Sequence, residues 1–125
     1  MNLRHPLATA RGLGSSKGGT SHWWALRLSS VALLVLTPWF VAWALGLVGA
    51  DQYTVRQSIA RPLNASLLIA FVLSLFWHSQ LGLQVVIEDY VHGWQEWTLQ
   101  VLVKFACALG AIASVVAIGR IVFTA

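Results

Sequence analysis

A histidine, an aspartate and a tyrosine stand at set intervals in one apolar stretch: His78, then Asp89 eleven residues on and Tyr90 twelve. An imidazole in hydrocarbon is costly and must find a partner. Two chemistries fit His78. It can exchange a hydrogen bond with a serine or threonine of a neighbouring helix, or it can be an axial ligand to the iron of a flat macrocycle. At about 100° per helical residue, Ser74 and Gly82 lie about 40° to either side of it, so small side chains clear its face. That clearing admits a macrocycle and equally admits close helix packing, and spacing alone does not choose.

Asp89 shares the helix face of His78, about 16 Å along the axis. A phenol beside a carboxylate at headgroup level can donate to a quinone carbonyl and help deliver protons when the quinone is reduced. Equally, Tyr90 can be an interfacial anchor beside ordinary acids. Arg27, near the start of its apolar stretch, can snorkel and meet an anion, either a haem propionate or the Asp89 region; anchoring at a positive-inside boundary is the plainer role, as for Lys104 and Arg120. A low-spin haem b needs two axial ligands, and one chain has trouble supplying both. His5, His22 and His92 fall outside the apolar core, Met1 is the sole methionine, and Cys107 reads as a small packing residue. A second membrane chain would have to donate the other ligand.

The elements that carry these residues follow from composition. Of 125 residues, 58% are hydrophobic and 10% charged, with a mean hydropathy of +0.72. A bilayer core needs roughly 20 apolar residues per helix, and three stretches qualify: 23–48, 63–87 and 97–123. The expected fold is an all-α membrane protein of three transmembrane helices, up-down-up, with residues 1–22 as a cytoplasmic N-terminal segment and 23–125 as the membrane domain. Pro38 falls within the first span and is expected to kink it near Leu34 without ending it. Trp23, Trp24, Trp94 and Trp97 mark one membrane boundary, so the N-terminus and the second loop share a side. Arg4, Arg11, Lys17 and Arg27 place that side in the cytoplasm, though narrowly, against Arg56 and Arg61 in the other loop.

Several classes are excluded. The net charge of +4 is scattered, with no basic cluster for nucleic acid. A single cysteine cannot hold an iron–sulfur cluster or a Cys-rich zinc site. The glycines at 12, 14, 18 and 19 follow no strand and precede no Gly-Lys-Ser/Thr, so neither dinucleotide nor P-loop binding stands. Residues 1–22 lack the apolar region of a cleaved signal peptide and are expected to dock on a partner.

The string from His78 through Ser79-Gln80-Leu81-Gly82-Leu83-Gln84-Val85-Val86-Ile87-Glu88 to Asp89-Tyr90-Val91 resembles the histidine to Asp-Tyr signature of succinate dehydrogenase hydrophobic membrane anchor subunits. These are the smaller of two cytochrome b anchor chains. Gly12-Leu-Gly-Ser, then Gly19-Thr-Ser-His-Trp-Trp24 and Arg27, is similar to the bacterial, particularly alphaproteobacterial, branch. The resemblance implies that His78 ligates haem b and its iron, with the other axial histidine on the larger cytochrome b anchor subunit and the helices packed around the shared haem. It implies that Tyr90 hydrogen-bonds ubiquinone with Asp89 in the proton path, and that Arg27 contacts a haem propionate. Flavin and iron–sulfur centres would belong to a flavoprotein and an iron–sulfur subunit on the cytoplasmic face of the bacterial inner membrane.

The expected function is therefore the non-catalytic anchor of succinate:quinone oxidoreductase, respiratory complex II, in the tricarboxylic acid cycle. Three alternatives stand beside it. One is a fumarate reductase anchor, running the reaction in reverse; another is a haem-free transporter or proton-relay subunit using His78 and Asp89. The third is a purely structural assembly subunit.

Overall fold

The computed structural model describes the backbone of residues 16–125 and the side chains from Thr20 onward. The N-terminal positions 1–15, including His5, Arg4 and the first glycines, lie outside the described residues. Four α-helices and no strand make up the described chain: α1 (Ser16–Gly46), α2 (Gln52–Ala60), α3 (Pro62–Tyr90) and α4 (Trp94–Thr124). The spans Thr20–Gly46, Pro62–Tyr90 and Trp94–Thr124 are long and apolar enough to cross a membrane, in the expected up-down-up order.

The helix bounds depart from the expected spans at every end. Helix α1 is already formed at Ser16, the first described residue, and runs through Gly18 and Gly19, which cost a helix less than its continuation gains from the apolar run that follows. It runs unbroken through Pro38, whose missing N–H leaves only the carbonyl of Leu34 without its helical partner. The loop between the first two spans contains α2, capped where the Asp51 carboxylate accepts from Thr54 N–H at 3.1 Å. Pro62 opens α3 at the one end of a helix where a missing N–H costs nothing. Between α3 and α4 the chain reverses in three residues, and Gly93 makes this possible with φ of 80°, a left-handed conformation that a side chain disfavours.

Helix α3 is the centre of the packing. Helices α1 and α4 each lie against α3, α2 touches α3 and α4, and α1 and α4 do not meet. The spans thus form an open row rather than a closed bundle. The four buried apolar side chains, Ala65, Leu68, Leu81 and Ile87, all belong to α3, as a middle helix in a row requires. Phe40 of α1 stacks on Phe71 of α3 with ring centroids 4.6 Å apart. At the α2 end, Ser58 ties three elements: its Oγ accepts from Trp43 Nε1 of α1 at 2.9 Å, and its carbonyl accepts from Asn64 Nδ2 of α3 at 2.9 Å. Arg56 Nη2 donates to Thr124 Oγ1 at 3.0 Å and fastens α2 to the end of α4. Large apolar side chains cover the outer faces of the row, which suits lipid or a second membrane chain.

Candidate haem and quinone site

His78 faces α1. Its Nδ1 lies 3.0 Å from the Oγ of Ser29, and that oxygen lies 3.0 Å from the carbonyl of Leu26. Ser29 is only 1% exposed, the one polar residue of the described chain that is fully buried. The hydrogen bond to a neighbouring helix anticipated for a membrane imidazole is present, and it engages one ring nitrogen. The ring also borders an open groove of about 430 Å³ along α1, lined by Ser30, Leu33, Leu34, Thr37 and Pro38. Positions 30, 33, 34 and 37 follow helical spacing, so one stripe of α1 forms the wall of this groove.

The clearing expected above and below His78 is not a single space. A methyl group added to Gly82 would meet nothing within 4 Å, so that side is open as expected. Ser74 instead lines a second groove, of about 620 Å³, between α3 and α4, with Trp77, Gln80, Lys104 and Cys107. Cys107 therefore belongs to a different face from His78 and does not join it in a ligand set. Among the described residues no three His, Cys, Asp or Glu side chains converge on a metal position.

Arg27 stands on α1, seven residues into the apolar span Thr20–Gly46. It is two residues from Ser29, so it lies within about 3 Å of the depth of His78 along the axis. Its guanidinium sits over the ring of Trp23, 5.3 Å from the centroid. The aromatic face partly replaces the water a cation would otherwise hold.

Asp89 and Tyr90 end α3 at the other side of this arrangement. Both are exposed, Tyr90 at 81%, and Tyr90 has no hydrogen-bond partner among the described residues. Trp94 and Trp97 open α4 beside them, and Trp23 and Trp24 stand near the start of α1, so aromatic rings gather at one end of the row. Tyr90 is twelve residues from His78, about 18 Å along α3, so the two lie within one helix but do not touch.

The sequence reading overlooked a polar ladder on α3. Gln80 Nε2 donates to Gln84 Oε1 at 3.2 Å, Gln84 Nε2 donates to Glu88 Oε1 at 3.1 Å, and Gln100 Nε2 of α4 donates to the Gln84 carbonyl at 3.3 Å. Gln100 Oε1 is buried with no donor. Spacing of four between 80, 84 and 88 was the available signal, since such residues stack on one helix face.

The family model for succinate dehydrogenase/fumarate reductase transmembrane subunits matches residues 1–117. The chain belongs to this family. Relatives of the transmembrane subunit include the succinate dehydrogenase hydrophobic membrane anchor subunit of Rickettsia bellii, 30% identical over 94% of each chain. That of Paracoccus denitrificans is 38% identical over 70% of this chain and 68% of its own. The succinate dehydrogenase membrane anchor subunit of Reclinomonas americana is 32% identical over 62% of this chain and 68% of its own. No solved structure matches the subunit.

Proposed function

We propose that this transmembrane subunit is the hydrophobic membrane anchor of a succinate:quinone oxidoreductase, that His78 supplies one axial ligand of haem b, and that Tyr90 and Asp89 form part of the ubiquinone site. The observation that carries the reading is the family match over nearly the whole chain, on a row of three spans whose central helix holds one half-buried histidine beside an open groove. The named relatives are all succinate dehydrogenase subunits, which favours succinate oxidation over fumarate reduction as the direction.

The residues fit a haem held between two chains. With Nδ1 engaged by Ser29, the other ring nitrogen of His78, a residue that borders the groove, is available as an axial ligand requires. The open row leaves that groove uncovered, and a larger cytochrome b anchor subunit closes it and brings the second histidine. When bound, the haem would supply a one-electron carrier. Arg27, at the depth of His78, neutralises a propionate while its stem lies along apolar surface. Neither propionate contact nor ligation makes this chain a catalyst; it binds and orients.

At the interface Tyr90 donates its phenolic proton to a quinone carbonyl and holds the ring in place. Asp89 beside it takes up protons from water and passes them toward the reduced oxygen. The Trp-rich boundary at the same end sets the depth at which an amphipathic quinone head comes to rest. Residues 1–22 and this end of the row face the cytoplasm, where the flavoprotein and iron–sulfur subunits dock and deliver electrons.

The test is a pair of assays on the intact complex. Tyr90→Phe is expected to lower succinate-dependent quinone reduction at least about tenfold while leaving succinate oxidation with an artificial dye unchanged. Unaltered quinone reduction would remove Tyr90 from the site and favour a purely structural anchor.

A further inference from the structure

We infer that Ser29 is the positioning residue of the His78 imidazole, fixing which ring nitrogen faces the groove and tuning its strength as an iron ligand. The inference rests on the haem-ligand reading of His78 proposed above and adds a residue to it.

Hydrogen-bond accounting carries the argument. A serine hydroxyl has one proton and two lone pairs. Ser29 Oγ lies 3.0 Å from the Leu26 carbonyl and 3.0 Å from His78 Nδ1. The carbonyl can only accept. If the hydroxyl donates to Leu26, its lone pair faces Nδ1, so Nδ1 carries the hydrogen and Nε2 has a free lone pair. If the hydroxyl turns to donate to Nδ1, the hydrogen resides on Nε2 and that nitrogen cannot ligate. Ser30 Oγ also donates to the Leu26 carbonyl, at 2.7 Å, so the carbonyl is satisfied either way. A metal at Nε2 selects the first arrangement, and Ser29 is the group that completes it.

A ligating histidine whose outer N–H is held by an acceptor keeps its tautomer and ring angle and becomes a more basic ligand. A more basic axial ligand favours the ferric iron and lowers the haem potential. Burial strengthens the effect, because Ser29 lies in the seam between α1 and α3 at 1% exposure, where the local dielectric is low. The plainer role for a small buried residue is to let two helices approach. Threonine and valine separate the two roles, since they share a shape and differ in the hydroxyl.

The experiment is a potentiometric titration of the haem b absorbance in the purified complex carrying Ser29→Thr, Ser29→Val or Ser29→Ala, beside His78→Ala as control. The expected result is a midpoint near that of the unchanged protein for Ser29→Thr and a shift to more positive potential for Ser29→Val and Ser29→Ala. If Ser29→Val cannot hold haem, its loss there together with retention in Ser29→Thr gives the same support. Equal midpoints in the Thr and Val variants, or haem lost from both, would make the site steric and overturn the inference. Haem that persists unchanged in His78→Ala overturns the ligand assignment itself.

Discussion

Gly110 of α4 faces the ring of Phe76 of α3 so closely that a methyl group on Gly110 would stand 2.5 Å from Phe76 Cε1. The glycine is a socket for the aromatic ring, and it sets how near the third span lies to the central one. Gly110→Ala is expected to destabilise the complex by about 1–3 kcal/mol through overpacking, read as a lower melting temperature in detergent. Phe76→Leu in the same chain should recover part of that loss. Simple addition of the two single effects would show that the contact does not hold the helices together.

Ser58 joins the end of α1, the short α2 and the start of α3 through Trp43 and Asn64. Ser58→Ala removes the acceptor of the Trp43 indole and leaves that half-buried N–H unpaired, at a cost of about 1–3 kcal/mol. Amide hydrogen exchange should rise in α2 and change little around His78. Exchange that rises evenly along the chain would contradict a local hub.

The Asp51 carboxyl is held below its usual value of 3.8 by hydrogen bonds from Thr54, side chain first and then backbone. A lowered folded value means that the cap stabilises α2 above the ordinary carboxylate range and that this contribution fades as pH falls through the lowered value. Thr54 amide protection is therefore expected to drop at acid pH. Asp51→Asn, which caps without ionising, should keep protection flat across the same range.

Gln84 and Gln100 are expected to respond differently to removal. Gln84→Leu breaks side-chain bonds to Gln80 and Glu88 and should destabilise by about 1 kcal/mol. Gln100→Leu loses a long 3.3 Å bond but also removes an acceptor buried without a donor. It should be near neutral in the same melting experiment. A large loss in Gln100→Leu would mean that its oxygen has a partner in the assembled complex.

Much of this protein is visible in its residues. Runs of more than twenty apolar positions admit only membrane helices, so the three spans and their alternation follow directly. Asp89 and Tyr90 fall at a helix end because the apolar run stops there. What sequence hides is registration between helices. Ser29 looks like any small polar residue in a span until α1 and α3 are set side by side, 49 residues apart in the chain. Helix α2 was readable from Asp51 and Thr54 as a cap, but nine residues of low hydropathy resemble a loop.

The measurement that bears most directly on this account is the dithionite-reduced minus oxidised spectrum of the complex purified with its partner chains, with and without His78→Gly. The unchanged protein should show the bands of a low-spin haem b, the glycine variant should lose them, and added imidazole should restore them by filling the vacated position. Bands of full intensity in the glycine variant, or none in the unchanged complex, would contradict ligation by His78.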